Sequence, residues 1–205
     1  MSNWAVVAAK VPAAAHPRLQ RLVGAYSGRI RLAAPRKSKW GDFRWQAGQP
    51  SQISINRDLS PEAFLITLLH EFAHAQVHAW DPHYSSPHGP EWQSRYRQLV
   101  LPFLTPDIFP PALLTALQRS LHKPKASCGA DVALLKALQT DLPKRGQTVE
   151  SLPAGSLFKA PSGRIFTKGP RRRTRFSCVE LKTGRTFAVH PLTDVELVNP
   201  PAHGR

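Results

Sequence analysis

Leu68-Leu69-His70-Glu71-Phe72-Ala73-His74-Ala75 is the stretch that decides how this chain of 205 residues is read. Side chains four positions apart on an α-helix share one face, so the imidazoles of His70 and His74 can reach a single metal ion. Glu71 lies beside them, where a carboxylate can take a proton from a metal-bound water. Five residues can match by chance, and the bland reading is two core or surface histidines with an accidental spacing. The flanks favour the metal site: Leu68, Leu69, Phe72, Ala73 and Ala75 are apolar and bury the rest of the helix, a setting that a chance match on a wet surface does not need. Ser60 suits the N-cap, Pro61 the first helical position and Glu62 the positive end of the dipole. Phe64, Leu65, Leu68, Leu69 and Phe72 then recur at helical spacing, which predicts a helix over 61–80.

Upstream, Ser51-Gln52-Ile53-Ser54-Ile55-Asn56 alternates polar and apolar and reads as a half-buried edge strand beside the cleft, able to hold an extended peptide by backbone pairing. A catalytic zinc takes three protein ligands and leaves one position to water. The motif with glycine three and histidine six residues after the second ligand fails, because Val77 and Trp80 occupy those places. Pro87-His88-Gly89-Pro90-Glu91-Trp92 supplies the next candidates. Thirteen residues lie between His74 and His88, enough for a loop that leaves the first helix and returns at the start of a second, over 89–101. His88 is the third ligand by this reading, with Glu91 as its rival. His78 follows His74 by one turn but lies too far along the helix from His70, and His83 reads as a rim or surface residue.

His70-Glu71-Phe72-Ala73-His74-Ala75, His88-Gly89-Pro90-Glu91-Trp92 and the run Lys39-Trp40-Gly41-Asp42-Phe43 leading to Ile53-Ser54-Ile55-Asn56 and Leu59 together resemble the SprT-like zinc metallopeptidase family, that of SprT and Spartan. The resemblance covers residues 18–101. The family's histidine followed by glycine matches His88-Gly89 and favours His88 over Glu91. By resemblance the fold is a zincin-like α+β domain and the activity is endopeptidase cleavage. In the family's best-understood branch the substrates are proteins crosslinked to DNA. Many relatives carry a second, structural zinc in a four-cysteine ribbon. Here the only cysteines are Cys128 and Cys178, so one Zn(2+) per chain is expected.

Two cysteines without paired spacing, no signal segment and no membrane-length apolar run predict a cytoplasmic protein, nucleoid-associated if bacterial, with no membrane partner. A disulfide between Cys128 and Cys178 is the weaker reading. The metallopeptidase domain is expected over 1–141, with further helices over 16–27, 111–121 and 132–138. A linker is expected over 142–153, and a small basic β module over 154–205. Within that module, strands are predicted over 156–159, 164–168, 174–181, 185–190 and 195–198. Pro161-Ser162-Gly163, Gly169-Pro170 and Thr183-Gly184 would supply the turns. Five short strands so spaced predict a small antiparallel barrel, SH3-like or OB-like.

Net charge is +15, and the basic residues crowd the β module from Lys159 to Arg185, with only Glu180 opposing them inside that stretch. The interleaved Phe158, Phe166, Phe176 and Phe187 read mostly as its core. The arginines point to nucleic acid, with Arg171, Arg172, Arg173 and Arg175 as contacts, joined by Lys37 and Lys39 from a second basic stretch in the first domain. The expected activity is metal-assisted hydrolysis of a protein substrate: zinc on His70, His74 and His88, and Glu71 as general base. Tyr84 and Tyr96 are candidates for a second electrophile or simply for packing. DNA is the expected polyanion and a monomer the expected state. The alternatives are a peptidase recruited to RNA or ribosomes, and a zinc-containing nucleic-acid-binding or regulatory protein without protease activity.

Overall fold

The computed structural model describes residues 2–36, 39–84, 86–122, 124, 131–139 and 147–198. It is an α+β structure that divides into two compact units, Met1–Leu138 and Gln139–Arg205. None of the helices among the described residues is long and apolar enough to cross a membrane.

The first unit runs α1 (Asn3–Val7), α2 (His16–Gly24), β1 (Arg29–Ala33), β2 (Gly41–Arg44), β3 (Gln52–Asn56), α3 (Pro61–Trp80), α4 (Pro90–Val100), α5 (Pro111–His122) and α6 (Val132–Gln139). Helix α3 is its axis. Ser60 accepts from the Ala63 N–H at 3.3 Å, Pro61 opens the first turn and Glu62 lies in it. Eleven consecutive positions, Ala63 to Ala73, are buried, so the helix is enclosed on nearly every side and serves as core. Each of its fully buried leucines, Leu65, Leu68 and Leu69, is worth roughly 1.5–3 kcal/mol of burial. The sheet (order β1-β3-β2) and α4 both pack against α3.

Strand β3 differs from the expectation. It is central, parallel to β1 and antiparallel to β2, and Ser54 and Asn56 are as buried as Ile53 and Ile55. The alternation misleads because Arg36 satisfies the polar members internally. Its guanidinium donates to Asn56 Oδ1 at 2.8 Å and to Ser54 Oγ at 3.1 Å, while the Asn56 amide donates to the Arg36 and Lys39 carbonyls. A polar residue with a complete set of partners can be buried where solvent was expected. The edge strand is β2.

The second unit is a five-stranded antiparallel sheet of β4 (Leu157–Lys159), β5 (Ile165–Arg172), β6 (Arg175–Glu180), β7 (Thr186–Val189) and β8 (Glu196–Leu197), in the order β7-β6-β5-β4-β8. The expected barrel does not close: β7 and β8 are the two outer strands, and β8 has only two residues to offer a partner. Gly169-Pro170 is not a turn either. Strand β5 passes through it with a register shift between Lys168 and Arg171. A proline is tolerated at such a bulge because no ladder N–H is needed there. Gly169 lies so close to the Ser177 carbonyl that a Cβ would collide with it. The turn comes later, at Arg173-Thr174, where Arg173 has φ 46°. Phe158, Phe166 and Phe176 are buried together with Cys178, a free thiol, and Phe187 packs on them. Val149 and Leu152, expected in the linker, belong to this core. Cys128 lies outside the described residues.

Candidate metal centre

Helix α3 presents His70 and His74 on the face toward α4, and the residues that follow it bring back His88 immediately before α4 begins. The Gln93 side chain, one turn into α4, donates to the His88 carbonyl at 3.0 Å and fixes that approach. The three Nε2 atoms form a small triangle: 3.2 Å from His74 to His70, 3.1 Å from His74 to His88 and 3.4 Å from His88 to His70. A neutral ring nitrogen carries one proton or one lone pair, so three of them cannot satisfy one another. Three lone pairs converging on one cation can. Tetrahedral bonds of zinc length put neighbouring nitrogens about 3.3 Å apart, the spacing found here.

Trp92 makes the floor. It is fully buried, and its ring centroid lies 4.6 Å from that of His70, 5.2 Å from His74 and 4.7 Å from His88. Tyr96 stacks beneath it at 5.1 Å. This apolar support sets the electrostatics. Burial pulls His70 well below the usual histidine range, helped by His74 and His88, and pulls His74 down to about 4. His88 is lowered by the same cause. All three are therefore neutral near pH 7, the form that binds a metal.

Glu71 is buried on the adjoining face, beside β2. Burial, then the Asp42 charge, pushes its carboxyl up to about 8; the Phe43 backbone N–H and the charges of Arg36 and Lys39 pull the other way. Gly41 makes room for it, since a Cβ there would run into the Glu71 carboxylate and the Thr67 methyl. The site thus joins a helix carrying two imidazoles and a carboxyl to an edge strand that grips the carboxyl from the side. One family profile covers residues 11–107, the span that holds all of these side chains. Over these residues the chain matches the SprT-like family. The match suggests a metallopeptidase-type function and an association with zinc, and the donor set of the His70, His74 and His88 cluster could hold such an ion. No curated protein and no solved structure matches the chain.

Several residues singled out in the sequence lie elsewhere in the SprT-like unit. Glu91 is exposed and accepts from the Tyr84 hydroxyl at 3.0 Å, away from the nitrogen triangle. His78 packs against Phe43 and Trp45, at 5.6 and 4.6 Å between centroids. His83 is exposed. Lys39 is paired with Asp42 at 2.7 Å, and Lys37 lies outside the described residues. Arg36, in the same basic stretch, is the staple of β3. The sequence reading missed Gly41, Asp42 and Phe43 as neighbours of Glu71. Their only signal was their place in the run shared with the family.

In the second unit the basic residues divide by role. Lys168 is buried, donates to the Glu150 carbonyl at 3.2 Å and also to that of Leu152, and sits 4.2 Å from the Phe176 ring centre. Arg164 pairs with Glu180 and lies over the Phe187 ring at 4.2 Å. Arg171 pairs with Glu150 at 3.0 Å. Arg172, Arg173 and Arg175 cluster at the exposed tip of the β5–β6 hairpin and pair with no acid among the described residues.

Proposed function

We propose that the chain is a zinc-dependent endopeptidase of SprT-like type, zincin-like in its pairing of a metal-binding helix with an edge strand, and that it acts on proteins held on or crosslinked to DNA. The observation that carries this reading is the triangle of His70, His74 and His88 nitrogens with the Glu71 carboxyl at the next position of the same helix. These three histidines would hold one zinc ion and leave a position for water; a glutamate engaged as Glu91 is would not be needed. The ion, when bound, supplies an acidified water and a Lewis acid for the scissile carbonyl. Glu71, whose carboxyl burial raises to about 8, would ionise beside a bound dication, because a nearby positive charge favours the carboxylate. As a carboxylate it would take the proton of the attacking water and pass it to the leaving amine. The Phe43 N–H holds the carboxyl at the mouth of the cleft, and the free edge of β2 can pair with an extended peptide.

The DNA part of the reading is supported by Arg172, Arg173 and Arg175, three cations on one exposed hairpin tip that pair with no acid among the described residues. Phosphates are the partner such a cluster suits, and the buried phenylalanines leave base stacking no role on that face. The test is cleavage of a DNA-bound protein by zinc-loaded protein, with and without single-stranded DNA, comparing wild type with Glu71→Gln. Cleavage that needs DNA and vanishes in the variant supports the proposal. Equal cleavage with and without DNA, together with retention on RNA, would favour a peptidase recruited to RNA. No cleavage by the loaded wild type would favour a regulatory protein.

A further inference from the structure

A cavity of about 460 Å³ opens between the C-terminal half of α3, the end of α2 and strand β2. Its walls include Tyr26, Phe43, Trp45, Phe72, His78 and Ala79, with Gln49 and Gln76 at polar positions, and among the described residues no Asp, Glu, Lys or Arg lines it. One residue joins this cavity to the metal centre. The Phe43 backbone N–H holds the Glu71 carboxyl, while the Phe43 ring packs on His78. The helix makes the same connection, because His78 lies one turn, about 6 Å, beyond His74. Trp45 closes the outer side against His78 and is half exposed, 51%, so an apolar surface already faces the opening.

Resting on the peptidase reading, we propose that this cavity is the specificity pocket and takes a large apolar or aromatic side chain flanking the scissile bond. A peptide paired with the edge of β2 presents every second side chain to the same face of that strand. The strand passes Glu71 at Gly41 and Phe43 and reaches the cavity at Phe43 and Trp45. A residue adjacent to the bond under attack therefore meets the cavity. The volume lies within the range of pockets that enclose a bulky organic group. Its aromatic walls favour phenylalanine, tyrosine, leucine or methionine, and the absence of a charged lining residue disfavours aspartate, glutamate and lysine. Glycine and alanine would leave most of the space unfilled.

The experiment profiles the cut sites of an unfolded protein by mass spectrometry, using zinc-loaded wild type, Glu71→Gln as the inactive control, and Ala79→Phe, which fills the cavity from its exposed rim without touching the metal centre. Wild type should cut beside large apolar residues. The Ala79→Phe protein should lose that preference, with kcat/KM for a phenylalanine peptide relative to its glycine counterpart falling by about tenfold or more. Cutting without such enrichment, or a profile unchanged by Ala79→Phe, overturns the pocket and leaves the peptidase standing. If wild type does not cut at all, the peptidase reading fails, and a second measurement decides the cavity on its own. N-acetyl-phenylalanine amide should shift the Trp45 indole N–H resonance and N-acetyl-glycine amide should not. Equal effects of the two amides, or none, overturn the proposal.

Discussion

The two units treat buried ionisable groups in opposite ways. In the SprT-like unit, His70 and Glu71 are buried side by side without a neutralising ion pair among the described residues, and each is driven toward its uncharged form. In the second unit, Lys168 and Glu180 are as buried, but each has partners: two carbonyls and a ring for the lysine, Arg164 and Thr183 for the glutamate. Arg164 accordingly holds Glu180 below the usual carboxylate range. Burial alone therefore does not mark a chemical site. A buried polar group completed from within is structure, whereas a cluster that stays incomplete until a cation arrives is a site. The exposed arginines of the hairpin tip belong to neither class: they pair with no acid among the described residues.

This contrast can be broken by mutation. The largest effect is expected at Glu71: Glu71→Gln should retain one zinc by metal analysis and lose about 10²–10⁴-fold in peptide hydrolysis, while affinity for single-stranded DNA stays unchanged. Loss of both properties would show that the units are not separable. Arg172→Ala, Arg173→Ala and Arg175→Ala combined should do the reverse. Hydrolysis of a DNA-free peptide should hold, while the slope of log affinity against log salt should shrink by about two to three. An unchanged slope would place the phosphate contacts elsewhere.

Smaller effects sharpen the division between site and structure. Gly41→Ala should push β2 away from Glu71, lowering kcat and costing about 1–3 kcal/mol in denaturant unfolding, with zinc retained. Lys168→Met leaves the Glu150 and Leu152 carbonyls short of a donor and should cost about 1–3 kcal/mol, read as faster hydrogen exchange of the β5 and β6 amides. Unaltered exchange would make Lys168 a surface cation instead.

The smallest effect is a pH dependence of the metal-free protein. The Glu71 carboxyl is raised from 4.5 to about 8, so the folded state keeps a proton that the unfolded chain releases. Stability from this group is full below pH 4.5 and declines as pH rises to about 8. His70, His74 and His88 act oppositely: lowered from 6.5, they withdraw stability as pH falls below that value. Melting of metal-free wild type and Glu71→Gln between pH 5 and 9 should show a decline toward pH 8 in wild type alone, and a shared decline below pH 6.5. Parallel curves throughout would mean that Glu71 is solvated.

The helix α3, its cap, the starts of α4 and α5, and the places of the five strands of the second unit were legible because each rests on local chemistry: an apolar period, a capping serine, a proline or a glycine turn. The pairing of His70 with His74 was legible for the same reason, since helical spacing alone puts them on one face. The status of β3 was not. Whether Ser54 and Asn56 face water depends on Arg36, about twenty positions away, and periodicity carries no information about such a partner. The open sheet was equally hidden, because closure depends on strand lengths and stagger rather than on strand number.

Sequence by itself determined the donor atoms: two histidines and a glutamate locked to one helix, a third histidine that a following segment could return, and a surplus of cations in the second unit. The tertiary structure decided which of His88 and Glu91 joins the nitrogen triangle, which strand lies beside Glu71, and which basic residues are already spoken for. The physical reason is range. Propensity, capping and helical periodicity act over a few residues, whereas ligand geometry, desolvation and ion pairing depend on groups that only folding brings within a few ångströms of one another.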